Sequence, residues 1–82
     1  MEGRVKEALL RRFPGAELEL EYTECSGRII GRISWRGFTG LDQMDRQEKL
    51  WQALREELGA DASGVSIILT YTPRELKLMA AA

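Results

Sequence analysis

Cys25 is the only thiol in this sequence, which makes it the one candidate for soft-metal or redox chemistry. It lies in the short stretch Glu24–Gly27, whose composition predicts a turn. The chain has no histidine, so both the commonest metal ligand and the usual general base are missing. Two interpretations of Cys25 follow: a passive surface cysteine, or a ligand to a metal or cluster that is shared with another protein.

The residues for other catalytic mechanisms are missing. Ser–His–Asp and Cys–His arrangements need histidine, and a CxxC motif needs a second cysteine. There is no phosphate-binding loop of the GxxxxGK type. The carboxylates at 17, 19 and 21 form an exposed row, which is a poor setting for acid–base catalysis. We therefore expect no enzymatic activity.

Charged residues alternate along two consecutive segments, which is typical of strands with one face in water. They are Glu17, Glu19 and Glu21 in the first segment, and Arg28, Arg32 and Arg36 in the second. If the two strands form a hairpin, the glutamates oppose the arginines, and opposite charges across strands attract. The pattern predicts either a solvated ladder of ion pairs or a docking face for another macromolecule.

A long amphipathic helix is predicted to support these strands. Its apolar residues recur at helical spacing between residues 43 and 58. They are Met44, Leu50, Trp51, Leu54 and Leu58. Asp42 is the expected N-cap and Gly59 the expected C-terminal stop, because glycine adopts the left-handed conformation that helix ends often need.

The remaining segments complete an α+β fold. The predicted elements are a helix over 2–13, strands over 16–23, 28–36 and 65–71, and a last helix that opens with the capping box Thr72–Glu75. A helix between two strands favours a parallel crossover. The order is therefore α-β-β-α-β-α, with a three-stranded mixed sheet and helices on one face. Its open face is predicted to expose Ile30 and Ile68, which could support a homodimer.

Size and charge limit the possible classes of protein. The 82 residues predict one domain over 1–82, and the 12 basic and 13 acidic residues give a net charge of −1. Nucleic-acid binders usually carry a basic excess, so nucleic acid is not an expected partner. No apolar run approaches the roughly 18 residues of a membrane span. The single cysteine and the absence of a signal-peptide profile predict a cytoplasmic location.

The long helix and its preceding turn resemble the BolA-like family. That family shows Phe-x-Gly, five residues, an Arg-His-Arg-type run, an aliphatic–aromatic pair and a leucine. The matching residues are Phe38, Gly40, Arg46-Gln47-Glu48, Leu50-Trp51 and Leu54. Thr72-Pro73-x-Glu75 and Phe13-Pro14-Gly15-Ala16 are also similar to the family, so the resemblance covers nearly the whole chain.

The resemblance implies a fold related to type II KH domains and a role in partnership with monothiol glutaredoxins. BolA-like proteins share a [2Fe–2S] cluster with these partners and act in iron–sulfur trafficking, iron regulation or stress regulation. The family usually places a ligating histidine where this chain has Gly64-Val65-Ser66, and Gln47 replaces the central histidine of its helix run. Only Cys25 lies where the family has its hairpin-loop ligand, so we expect no cofactor bound by this chain alone.

Three candidate functions remain open. In the first, the chain docks a monothiol glutaredoxin, with Cys25 as metal ligand and Arg28, Arg32 and Arg46 as partner-binding residues. Arg46 could equally be a surface partner of Asp42 or Asp45. In the second, it is a KH-like nucleic-acid-binding module or transcriptional regulator. KH domains clamp backbone phosphates with a GxxG loop, and we expect no GxxG segment in this chain. In the third, it is a homo-oligomer that uses the open sheet face or an edge strand.

Overall fold

The structure, a computed structural model, describes residues 2–81 and has the order of elements that the sequence predicts. The helices are α1 (Glu2–Arg12), α2 (Gln43–Leu58) and α3 (Pro73–Ala81). The strands are β1 (Glu17–Thr23), β2 (Arg28–Ser34) and β3 (Val65–Tyr71). Short 3-10 helices at Arg36–Phe38 and Gly59–Gly64 flank α2. The extent of the domain over 1–82 stays a prediction, because its end residues lie outside the described range.

Local capping explains where the helices begin and end. The Asp42 carboxylate accepts a hydrogen bond of 2.8 Å from the backbone N–H of Asp45, which satisfies a free donor of the first turn of α2. Gly59 ends α2 with a φ of 58°, a conformation that costs glycine little. The capping box at α3 is reciprocal: Glu75 N–H donates to Thr72 Oγ1, and Thr72 N–H donates to Glu75 Oε1.

The three strands form one mixed sheet in the order β1-β2-β3. β1 pairs with β2 as an antiparallel hairpin, and β3 pairs with β2 in parallel through the α2 crossover, as the sequence predicts. The residues of β1 and β2 that face the helices lie opposite one another in register, with Leu18 opposite Ile33 and Tyr22 opposite Ile29. Tyr22 lies near the end of its strand and is 46% exposed, so it contributes little to the core.

The core lies between this face of the sheet and the helices α1 and α2. Among the residues that the structure describes, it contains fourteen buried apolar ones, including Leu9 of α1, Ile29 and Ile33 of β2, and Leu50 and Leu54 of α2. Phe13, Trp35 and Phe38 close one end with edge-on and tilted ring contacts at centroid distances of 4.9–5.6 Å. Burial of these side chains is the main favourable contribution to folding.

Two exposed ion pairs join α1 to α2 outside this core. Arg11 bonds Glu57 and Arg12 bonds Glu56, both at 2.6 Å. The hydrogen bond from Arg12 lowers the pKa of the Glu56 carboxyl below its ordinary value. Exposed pairs of this kind contribute little to stability, so the apolar contacts beneath them determine how the helices pack.

The buried stripe of α2 differs from the predicted one at its start. Met44 is 79% exposed, whereas Arg46, Leu50, Ala53, Leu54 and Leu58 are buried. Met44 and Arg46 are two positions apart, or about 200° around a helix, so only one of them can face the sheet. The sequence prediction assigned the apolar residue to the core, and the structure places the arginine there.

A glycine in the middle of β2 allows two strands to approach closely. A side chain at Gly31 would overlap the backbone carbonyl oxygen of Glu19 and contact Leu20 in β1. Only glycine fits here without displacing backbone. Gly31 therefore supports the packing of the hairpin beneath the two helices.

The alternation of β3 is broken at its first residues. The register with β2 shifts between Ile29 and Ile30, so Val65 and Ile68 both face the core although they are three residues apart. The prediction that Ile68 is exposed was therefore wrong, because an irregularity moves every later side chain to the other face. Ile67 takes its place on the open face, where it lies beside Ile30.

Within residues 2–81, the structure contains no helix with the length and apolar character needed to cross a membrane.

Candidate functional site

The hairpin tip, Glu24–Arg28, carries the exposed thiol. Cys25 lies in the turn between β1 and β2, which is closed by a 2.8 Å hydrogen bond from the Gly27 N–H to the Thr23 carbonyl. Arg28 is exposed at the start of β2. Because β3 runs parallel to β2 and its Val65 pairs with Ile29, the start of β3 lies at the same end of the sheet. The fold thus brings together the two chain segments where the family resemblance places metal ligands.

The residues at this end do not make a two-ligand metal site. Cys25 provides one sulfur, and the start of β3 provides the half-buried Ser66, whose hydroxyl is a poor ligand for iron compared with imidazole or thiolate. In the part of the chain that the structure describes, no three His, Cys, Asp or Glu side chains are grouped as a metal site. The donor set therefore does not fit an iron–sulfur cluster held by this chain through two residues.

Arg32 lies on the open face in the middle of β2. Its guanidinium contacts the Glu19 carboxylate of β1 at 2.7 Å, and the Arg32 side chain is half-buried whereas that of Glu19 is largely in water. The predicted ladder of three such pairs is not formed, because Glu21 lies opposite Ile30 and Glu17 lies opposite Ser34. Arg28 lies opposite Thr23, and Arg36 falls beyond the strand in a 3-10 helix.

Arg46 is buried, with only 5% of its surface exposed. Its guanidinium donates to both Glu75 carboxylate oxygens, at 2.6 and 3.1 Å, and its Nε donates to the Leu41 carbonyl at 2.9 Å. The alternative that Arg46 is a surface partner of Asp42 or Asp45 was wrong. The buried guanidinium is occupied within the chain, so any contribution of Arg46 to partner binding, which stays a prediction, acts through the position of α3.

Glu75 is the acidic half of this interaction. The hydrogen bond from Arg46, followed by that from the Thr72 backbone N–H, lowers the pKa of Glu75 from its ordinary 4.5 to about 2. One carboxylate therefore caps α3 and binds the guanidinium that projects from α2. The bidentate geometry is the strongest form of this contact.

A row of polar side chains on α2 covers the outer edge of β3. Gln47 donates to the Ile68 carbonyl at 2.9 Å and accepts a hydrogen bond from the Trp51 indole at 3.2 Å. Gln43 donates to the Thr70 carbonyl at 3.1 Å, and the Thr70 hydroxyl donates back to Gln43 Oε1. Sequence reasoning missed this role of Gln43 and Gln47. The sequence does contain a sign of this role: positions 43, 47 and 51 are four residues apart, which places three hydrogen-bonding side chains on one side of a helix.

Three apolar side chains form a strip on the open face of the sheet. Ile30, Ile67 and Leu69 are 39%, 56% and 49% exposed. They line a broad groove of about 860 Å³ together with Glu19, Glu21 and Arg32. The first two turns of α1 add Glu2 and Lys6, so acidic groups outnumber basic ones around the groove.

The expectation that the chain has no GxxG segment was wrong. Gly37-Phe38-Thr39-Gly40 has this spacing and joins a 3-10 helix to α2. Phe38 is fully buried, its N–H donates to the Trp35 carbonyl, and the Thr39 N–H donates to the Arg36 carbonyl. Because both central amides are used inside the chain, the segment resembles a structural turn more than a phosphate clamp.

Comparisons with family models and with curated proteins find no match. Solved structures do match. The BolA domain of SufE1 from Arabidopsis thaliana has a TM-score of 0.73 at 24% identity, over 90% of this chain and 93% of that one. BolA1 from Arabidopsis thaliana has the same score and coverage at 26% identity. A bol-like protein from Babesia bovis has a TM-score of 0.75 at 18% identity, over 98% of this chain and 93% of that one.

These matches extend over nearly all of the chain and carry the same order of helices and strands. At such identities the likeness is mainly one of fold, and the motif around α2 adds an independent likeness of sequence. The resemblance seen in the sequence is confirmed, and this chain folds as a BolA-like protein.

Proposed function

We propose that this chain is a non-enzymatic interaction protein of the BolA type that binds a monothiol glutaredoxin, in iron–sulfur cluster trafficking or in iron and stress regulation. The observation that carries the proposal is the BolA-like fold with an exposed thiol at the hairpin tip. The chain has no histidine, which supports a role in binding over one in catalysis.

The proposed docking surface runs from the hairpin tip onto the open face of the sheet. Arg28 and Arg32 lie on the same strand, four residues apart and on the same face. Arg28 is exposed, and Arg32 is half-buried against Glu19. These cations would attract acidic groups on a partner and orient its approach. Arg46 would act indirectly, because its bond to Glu75 fixes α3 at the end of β3.

A [2Fe–2S] cluster shared with the partner would find one ligand in this chain, Cys25. Since the residues present do not fit a two-ligand site, the proposed docking does not depend on a cluster. The single exposed thiol suits a reducing compartment, so we place the complex in the cytoplasm.

The proposal is tested by mixing the protein with a monothiol glutaredoxin, with and without its cluster. Binding is followed by the elution volume of the glutaredoxin, and cluster transfer or rearrangement by visible absorption. We expect a shift in elution with both forms. An unchanged elution volume together with an unchanged spectrum would refute the proposal.

Charge-reversal variants locate the docking surface. Arg28→Glu is expected to weaken glutaredoxin binding about tenfold or more, since it removes a cation and adds a repulsive charge. Arg36→Glu is the matched control, because Arg36 is exposed but lies beyond the other end of β2. Cys25→Ser separates the roles: it should leave docking intact and abolish any spectral change of the cluster.

The KH-like alternative has its own test. Nucleic-acid binding through phosphates weakens steeply with salt, so a filter-binding assay on short single strands at two salt concentrations detects it. The internally bonded amides of the Gly37–Gly40 segment and the acidic groups around the open face oppose this function. We therefore expect no salt-dependent retention.

A further inference from the structure

The open face of the sheet has an acidic side and an apolar side. Across one row of the sheet, Glu21 of β1 lies beside Ile30 of β2, which lies beside Ile67 of β3. In the next row, Glu19 lies beside Arg32, which lies beside Leu69. The face therefore changes from carboxylates along β1 to aliphatic side chains along β3. A ligand that matches it needs basic groups next to apolar ones.

The helix α3 presents the complementary arrangement. Its first turn is fixed to the body of the protein by the capping box and by the bond between Glu75 and Arg46. Beyond that turn, Leu78 and Met79 are 63% and 51% exposed. Arg74 and Lys77 are also exposed, and the spacing 74, 77, 78 places two cations and a leucine along one side of the helix.

Within a single chain, α3 covers only one end of the open face of the sheet. Ile67 and Leu69 on the sheet remain exposed, and so do Leu78 and Met79 on α3. At that end, Leu76 of α3 is half-buried and lines a small cleft with Glu17, Glu19, Arg32 and Ser34. Among the described residues, the apolar parts of both surfaces thus stay partly exposed to solvent.

We propose that the open face of the sheet binds α3 of a second copy of this chain. Leu78 and Met79 pack on Ile30, Ile67 and Leu69, while Lys77 and Arg74 meet the carboxylates of β1. Opposite charges fix the orientation of the helix, and the apolar contact provides the attraction. In a two-fold symmetric pair, each copy gives its α3 and receives that of its partner, so both contacts close one dimer.

Sedimentation equilibrium of the protein alone tests this, over about 10 μM to about 500 μM, the range of weak and transient contacts. The expected result is a monomer–dimer equilibrium. Ile67→Glu on the sheet and Leu78→Glu on the helix should each weaken dimerisation at least about tenfold. Both positions are exposed, so circular dichroism should show an unchanged fold. Met44→Glu is the matched control, because Met44 is exposed on α2 and lies in neither surface.

Charge exchange tests the pairing of sheet with helix. Lys77→Glu and Glu21→Lys should each weaken the dimer, and the double variant should recover a substantial part of the affinity. A monomer at every concentration would overturn the proposal and leave the face to a different partner. A dimer that tolerates Leu78→Glu would also overturn it, because two sheets would then pair directly. No glutaredoxin enters these measurements, so the outcome is independent of the proposed function.

Discussion

The guanidinium of Arg46 joins three parts of the chain. It projects from α2, donates to the Leu41 carbonyl before that helix, and bonds both carboxylate oxygens of Glu75 in α3. A buried cation is costly unless its donors are satisfied, and here all the bonds come from within the chain. The position of α3 therefore depends on one polar contact more than on apolar burial.

Substitution of Glu75 is expected to reveal this dependence. Glu75→Gln removes the negative charge that faces a nearly buried guanidinium and weakens a bidentate bond. Because the Glu75 side chain is 42% exposed, we expect a loss of about 1–2 kcal/mol in the free energy of unfolding. Urea unfolding followed by circular dichroism measures it.

The matched control is Glu48→Gln, the same chemical change at an exposed position of α2. It should alter the free energy of unfolding by no more than about 0.5 kcal/mol. Equal effects of the two substitutions would show that the bond between Arg46 and Glu75 contributes nothing specific.

The same contact predicts a dependence of stability on pH. The pKa of Glu75 is lowered to about 2 in the folded chain, against 4.5 ordinarily, so the contribution of the pair is fully present above 4.5. It declines as the pH falls from 4.5 towards 2, because the carboxylate becomes protonated. The difference in unfolding free energy between the natural protein and Glu75→Gln should therefore shrink across this range. A constant difference between pH 7 and pH 2 would contradict the assignment.

At the residue scale, spacing along the chain predicts local contacts and misses distant ones. The capping box of Thr72 and Glu75 was predicted because its partners are three residues apart. The bond between Arg46 and Glu75 was not predicted, because 29 residues separate them and no local pattern connects them. Cys25 and Arg28 were correctly placed near one turn, since a hairpin is also a local structure.

At the element scale, periodicity predicts all six helices and strands but fails within β3. The irregularity beside Ile29 and Ile30 adds one unpaired residue to β3, so Ile68, predicted to be exposed, faces the core and Ile67 lies on the open face. Residues 65–71 are nearly all apolar or hydroxylic, so their alternation gives no sign of which face is buried. Strong alternation in β1, where glutamates mark every second position, gave the correct faces.

The close contact at Gly31 predicts a large effect of a small substitution. Gly31→Ala places a methyl group against the Glu19 carbonyl, and one strand must move to relieve the overlap. We expect a loss of about 2–4 kcal/mol in the free energy of unfolding. Thermal and urea unfolding measure it, and failure to fold would agree with it.

Gly3→Ala is the control for Gly31→Ala. Gly3 lies in α1 with open space around the position of a side chain, so alanine there should raise stability by up to about 1 kcal/mol. We therefore expect Gly31→Ala to lower the free energy of unfolding and Gly3→Ala to raise it. A neutral result at position 31 would mean that β1 and β2 are free to separate at that point.

At the scale of the whole molecule, the two proposed interactions meet on the open face. Arg32 belongs to the proposed glutaredoxin surface and also lies in the row between Glu19 and Leu69. The exposed residues of α3 had no place in the sequence-based hypotheses, because a short apolar stripe at the end of a chain predicts burial as readily as exposure.

If both interactions occur, they compete. The apparent affinity for glutaredoxin should then fall as the concentration of this protein rises, because dimers hide Arg32. Leu78→Glu should remove that dependence without changing the affinity measured in dilute protein. Titrations at two protein concentrations, for the natural chain and the variant, give the comparison. An affinity independent of concentration in both would show that the two surfaces are separate.

The side-chain amides of Gln43 and Gln47 also affect whether a strand of another molecule can add to the edge of this sheet. They bind the Ile68 and Thr70 carbonyls, so two acceptors that an incoming strand would need at the β3 edge are already used. Strand addition is left to the opposite rim, at β1. Two copies that met there would join into a six-stranded sheet with β3 at both outer edges, where the same amides oppose further lengthening into a fibre.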